Sequence, residues 1–75
     1  MTIKLIEMKT NQSGNVREIK GGVSSVTRLE NIGIRPGRKI TKLSAHFWKG
    51  PVTVIVGKTK IAIGYGMAEK ILVDV

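Results

Sequence analysis

No cysteine occurs among the 75 residues. That excludes a disulfide framework, a thiolate-held iron–sulfur cluster and a Cys-type zinc site. Aromatic residues are scarce, Phe47, Trp48 and Tyr65 being the whole set. Single-strand nucleic-acid binders stack bases on aromatic platforms, so nucleic acid is disfavoured as a partner. Carboxylates are few (Glu7, Glu18, Glu30, Glu69 and Asp74), and His46 is the single histidine. These six are the available metal ligands, and none are spaced as a recognisable chelate, which leaves His46 as a weak candidate ligand. A serine, His46 and Asp74 do not have the order or spacing of a nucleophilic triad, and so short a chain leaves little room for a lined pocket. The reading is a protein that is not an enzyme. Nowhere do 18 apolar residues run together, so no spanning helix is expected. Charges interrupt Met1–Glu7, unlike a secretory signal. The expected location is the cytoplasm.

What the chain has in excess is positive charge. Thirteen Lys and Arg against five acidic residues give a formal net charge of +8. Its apolar residues are lopsided too: ten Ile and eight Val against four Leu, with nine Gly. β-Branched side chains favour the pleated strand surface, and glycines supply turns. The expectation is a mainly β fold over residues 1–75, one small domain with a thin apolar core. A thin core and an open strand edge also make a homodimer a reasonable expectation.

Punctuation along the chain sets the elements. Residues 1–8 read as extended or as a short helical turn, and Asn11-Gln12-Ser13-Gly14-Asn15 as a polar loop. Val16 to Lys20 reads as a strand in which Val16 and Ile19 share a face only with a bulge. A helix is expected over about residues 23–32, capped by Ser24 or Ser25, with Val26, Leu29 and Ile32 as its apolar stripe. Gly33 stops it: with Gly33 at C′, Leu29 falls at C3 and Ile34 at C″, the pair that meets in a Schellman motif. Arg35-Pro36-Gly37-Arg38 fits a type II turn. Lys39 to Ala45 follows as a strand. Val52, Val54 and Val56 share one face of the next, Gly57-Lys58 makes a two-residue hairpin, and Ile61 and Ile63 pair back. Gly64 to Lys70 is a turn or one helical turn, and Ile71, Val73 and Val75 alternate in a last strand. About five short strands with tight turns predict a small closed barrel, because closure removes edges.

Two apparent phosphate motifs fail. Gly57-Lys58-Thr59 resembles the tail of a P-loop, but its first glycine would fall at Val52 and strand, not helix, follows. Gly64-Tyr65-Gly66 lacks the third glycine, which would be at Glu69. The basic balance is the stronger signal. Arg35, Arg38, Lys39 and Lys42 surround one turn and the strand after it. Such a patch suits nucleic-acid phosphates, lipid head groups or an acidic protein surface, and solvated surface charge is the plain alternative. His46-Phe47-Trp48-Lys49 forms an aromatic loop that either folds back on the barrel or projects as an anchor.

The stretch Val26-Thr27-Arg28-Leu29-Glu30-Asn31-Ile32-Gly33-Ile34-Arg35-Pro36-Gly37 resembles the R-L-x-x-L-G-I-x-P-G signature of the ferrous iron transport protein A (FeoA) family, with Ile32 at its second Leu. Gly50-Pro51-Val52, Gly57, Ile61-Ala62-Ile63-Gly64 and Ala68-Glu69-Lys70-Ile71 continue the likeness, from about Leu5 to Val75. The early turn departs from it, with Ser13-Gly14 where the family has Pro-Gly. The resemblance implies an SH3-like β-barrel with an inserted helix, similar to the C-terminal domain of iron-dependent repressors. It implies a cytoplasmic accessory protein of the GTP-binding iron transporter FeoB, peripheral at the membrane's inner face, and a family described as transition-metal binding; no ligand set here supports more than weak binding of Fe²⁺ or another transition metal. Docking is expected through Arg35, Arg38, Lys39, Lys42, Phe47, Trp48 and Lys49, on a scaffold held by the turns at Gly33, Pro36, Gly37 and Gly57. The alternatives are a small basic RNA-binding barrel and a detached metal-sensing repressor domain.

Overall fold

The computed structural model describes residues 1–45 and 49–75. Its elements run β1 (Thr2–Lys4), a 3₁₀ turn (Leu5–Glu7), β2 (Ser13–Ile19), α1 (Val23–Asn31), β3 (Lys39–Ala45), β4 (Val52–Val56), β5 (Thr59–Ile63), α2 (Tyr65–Ala68) and β6 (Ile71–Asp74). All strands join one antiparallel sheet in the order β1-β6-β2-β3-β4-β5. The sixth strand is β1, where either an extended segment or a turn was expected; both are present, in succession.

The clearest alternation makes the clearest hairpin. Val52, Val54 and Val56 are buried, while Thr53 and Ile55 face outward. Val52 pairs with Ile63 and Val54 with Ile61 across Gly57-Lys58. Gly57 has φ +63°, the positive angle such a turn requires.

β2 begins at Ser13, three residues before the expected start. Ser13, Gly14 and Asn15 pair with Thr41, Ile40 and Lys39. Polar side chains hid this strand, but its backbone joins the ladder and the Ser13 and Thr41 hydroxyls share a hydrogen bond of 2.7 Å on the outer face. The bulge lies where the spacing of Val16 and Ile19 demanded one, between Val16 and Glu18, and a second lies between Lys42 and Ser44 of β3. Bulges bend strands and raise their twist. The sheet curls around Val16, Ile34, Ile40, Val54, Ile71 and Val73, all fully or almost fully buried. The curl is not sealed by a complete ladder, since β1 and β5 remain its two edges.

α1 departs from expectation at its start and agrees at its end. Gly22 is the N-cap and no side chain caps the helix, so Ser24 and Ser25 lie inside it. Of the expected stripe, Leu29 is buried and Val26 half-buried, but Ile32 is 44 % exposed. The reason lies at the C-terminus. The Gly33 N–H donates to the Glu30 carbonyl at 3.1 Å and the Ile34 N–H to the Leu29 carbonyl at 2.9 Å, which is the Schellman pair. The chain reverses there and Ile34, not Ile32, enters the core beside Leu29.

Gly33 has φ +98°. A side chain in the left-handed region costs about 1–2 kcal/mol. Gly33→Ala is therefore expected to lower the thermal midpoint by about 4–16 °C in a domain of this size, measured by far-ultraviolet circular dichroism.

Candidate docking surface

The corner that follows α1 sets out the basic residues. The Arg38 N–H donates to the Arg35 carbonyl at 3.1 Å and Gly37 has φ +90°, so Arg35 to Arg38 form the type II turn. Two further bonds anchor the turn to β2: the Gly37 N–H donates to the Val16 carbonyl and the Val16 N–H to the Arg38 carbonyl, both at 2.8 Å. A rigid corner thus holds Arg35, Pro36, Arg38 and Lys39 exposed. The Arg35 guanidinium reaches the Glu30 carbonyl at 3.3 Å, where a cation complements the negative end of the helix.

Arg38 and Lys39 open onto a cavity of about 440 Å³ with Thr41, Ile55 and Gly57. The Arg38 guanidinium lies over the hairpin turn, 3.4 Å from where a Cβ on Gly57 would stand. Thr41, Ile55 and Lys60 are cross-strand partners and extend the outer face from this cavity to the sheet edge. Thr41, Ile55 and Lys60 are not among the docking residues expected from the sequence. Their signal was available in the alternation, which turns Thr53 and Ile55 away from the core.

Lys42 has to be removed from the patch. It is only 6 % exposed. Its ammonium donates to the carbonyls of Ile6 at 3.0 Å and Met8 at 2.7 Å. Strand alternation explains this, because Lys42 lies two residues after buried Ile40 and opposite buried Val54. Burial pushes its pKa below the usual lysine value. Lys42 is a pin inside the barrel and offers nothing to a partner. Lys49 lies elsewhere: its ammonium stands 5.9 Å from the centroid of the Tyr65 ring on α2, a cation–π distance. Phe47, Trp48 and the candidate ligand His46 lie outside the described residues.

The donor set for a metal is thin. No three of the potential ligands gather among the described residues. Glu7 accepts the Lys4 N–H at 2.8 Å. Asp74 accepts the Thr2 hydroxyl at 2.5 Å and pairs with Arg17 at 3.2 Å. The Thr2 hydrogen bond, with Arg17 beside it, holds the Asp74 carboxyl below the ordinary carboxylate value. Two of the five carboxylates are thus committed to holding the chain together.

The FeoA-domain profile matches residues 3–75. The chain belongs to the FeoA family. A relative from Methanocaldococcus jannaschii, provisionally named Fe(2+) transport protein A, is 36% identical over 59 residues, covering 79% of this chain and 70% of its own. A solved structure described as an iron uptake regulatory protein (FeoA) superposes with a TM-score of 0.89 at 36% identity, covering 97% of this chain and 96% of the other. The fold is the SH3-like barrel. A manganese-dependent transcriptional repressor shares it, with a TM-score of 0.88 at 19% identity over 96% of this chain and 40% of the repressor, a likeness of fold alone. FeoA is a transport accessory family, and the Arg35–Lys39 corner overlaps the end of the stretch that carries the family likeness. No helix among the described residues is long and apolar enough to cross a membrane.

Proposed function

We propose that this FeoA chain is a cytoplasmic accessory protein of ferrous iron uptake that docks on the cytoplasmic part of a FeoB-type transporter through the Arg35–Lys39 corner. The observation that carries the reading is the cavity beside it. Two cations, a hydroxyl and an apolar Ile55 line it, and no carboxylate does. Such a surface complements an acidic patch with an apolar centre and steers its approach electrostatically. Docking shifts the transporter between conformational or nucleotide states by differential affinity, and no bond is made or broken in this chain. Iron is cargo of the transporter in this reading, since the described carboxylates do not converge on a site.

Charge reversal at the corner tests it. Arg38→Glu combined with Lys39→Glu changes two exposed side chains outside the core. Affinity for the immobilised cytoplasmic part of the transporter is expected to fall at least about tenfold, or about 1.4 kcal/mol, with circular dichroism unchanged. Unchanged affinity would remove the corner from the interface. The RNA reading predicts instead a log-linear salt dependence of RNA affinity, with a slope set by the number of phosphates neutralised.

A further inference from the structure

We propose that the groove between α1 and the free edge of β5 takes an acidic, extended segment of a partner protein, which adds to the sheet as a further strand. The groove shares no lining residue with the cavity at the basic corner, although Lys60 on the edge strand borders both surfaces.

β5 hydrogen-bonds to β4 on one side and is an edge of the sheet on the other. Edge strands present unpaired backbone groups, and proteins blunt them with charged residues, proline, bulges or a covering element; β5 carries one such charge, Lys60, which guards against a basic strand but not an acidic one. Thr59-Lys60-Ile61-Ala62-Ile63 has no proline, and its pairing with β4 has no bulge. Beside this edge α1 leaves a cavity of about 210 Å³. Leu29, Ile32, Ala62, Gly64 and Met67 give it an apolar lining with one cation, Arg28. An open edge next to a pocket is what strand addition requires: the backbone supplies affinity and the pocket takes alternate side chains.

α1 exposes two large apolar side chains on its outer side, and nothing among the described residues covers them. Val23 is 85 % exposed and Ile32, expected in the core, is 44 % exposed. Both lie on the outer face of the helix with Thr27 and Arg28, continuous with the groove through Arg28 and Ile32.

Charge selects the occupant. Arg28 lines the groove, Lys60 is on the edge strand and Lys58 is in the turn before it, all three exposed. None of them makes an ion pair among the described residues. The carboxylates of the neighbouring elements, Glu30 and Glu69, do not line the groove. A second copy of this +8 chain would bring a further basic surface to the same edge, and like charges repel. An acidic segment places its carboxylates against these cations. Five edge residues span about 17 Å at the rise of a strand, which fits a segment of five or six residues.

The test uses the full chain, ¹⁵N-labelled, with acetyl-(Glu-Val)₄-amide as probe. The controls are acetyl-(Lys-Val)₄-amide and an acidic version with proline at one central Val. Amide shifts are expected over residues 59–64 and 28–32. The acidic probe should bind at least tenfold more tightly than either control, because lysine repels the rim and proline cannot join the ladder. Arg28→Glu, on an exposed helix position, should weaken the acidic probe at least fivefold without changing the spectrum elsewhere. Equal binding of the three peptides would overturn the proposal, as would shifts centred on residues 38–41 or no shifts at millimolar probe. Self-association through β5, seen by sedimentation together with edge-residue line broadening, would assign the edge to a second copy and overturn it as well.

Discussion

Gly14→Ala is expected to destabilise the chain by about 3 kcal/mol and to lower the thermal midpoint by about 12–24 °C. Gly14 lies in β2, opposite Ile40 of β3 and against β6 on the other side. A Cβ there would lie 2.5 Å from the Asp74 carbonyl oxygen, 2.6 Å from Val73 Cγ1 and 3.0 Å from Val75 Cγ1. The first of these is backbone and cannot rotate away. Accommodating the methyl therefore means parting β2 from β6, the pair that carries Val16 and Val73 into the core. Overpacking of a core side chain costs about 1–3 kcal/mol, and a clash with ladder backbone belongs at the upper end. A chain of this size has only about 4–11 kcal/mol in total. Gly66→Ala supplies the control, since a Cβ on Gly66 meets nothing within 4 Å. Within a helical turn alanine is preferred to glycine, so that variant should keep or slightly raise the midpoint. Thermal melts by circular dichroism on the pair separate crowding from loss of glycine flexibility. Equal midpoints would mean that β2 and β6 have room the geometry denies.

Gly14 also marks the limit of what the residue order conveys. Read locally, Asn11 to Asn15 is polar, contains glycine and has every mark of a loop. What makes it strand is pairing with residues 24 to 28 positions away, and polar residues carry no local trace of that. Features set within five or six residues were legible. The Leu29, Gly33 and Ile34 spacing gives the helix end, Pro36-Gly37 gives the turn, and alternating valines around Gly57 give the hairpin. The bulge in β2 was legible because two apolar residues three apart can share a face only through one. The start of α1 was not: Gly22 caps it with no side-chain hydrogen bond, so the serines misled. Ile32 misled in the same way, because helix periodicity places it inward while the Schellman reversal delivers Ile34 in its stead. The basic corner was half legible. Arg35, Arg38 and Lys39 are adjacent in sequence and come out adjacent in space. Their groove partners Ile55 and Gly57 belong to the next hairpin and enter only through the β3–β4 register.

Lys42 is the residue on which local reading and structure disagree most, and its removal should show why. Lys42→Met is expected to cost about 2 kcal/mol, lowering the thermal midpoint by about 8–16 °C. Methionine fills similar volume but donates nothing, so the Ile6 and Met8 carbonyls lose the ammonium that serves both. An acceptor left without its partner in the interior costs about 1–3 kcal/mol, partly offset here because the ammonium no longer has to be desolvated. The lost contacts reach across the fold. They tie the segment after β1 to β3, alongside the Asn11 N–H bond to the Lys42 carbonyl and the Lys42 N–H bond to the Gln12 carbonyl. Loosening should therefore begin at residues 5–12, visible as faster amide exchange there than at β4 and β5. The pH dependence gives a second, sharper signature. Burial lowers the Lys42 pKa from 10.5, so between the folded value and 10.5 the unfolded chain holds more protons than the folded one. Stability contributed by this group then rises with pH across that window, and is lower on its acid side, where the buried ammonium stays charged. The variant lacks the group and its rise. The stability gap between wild type and Lys42→Met should widen as pH climbs toward 10.5, measured as the difference in denaturant midpoints. A gap that stays constant would mean that the ammonium is solvated in the folded chain and that Lys42 returns to the surface patch, whereas a narrowing gap would mean that its two carbonyl acceptors outweigh desolvation and raise its pKa.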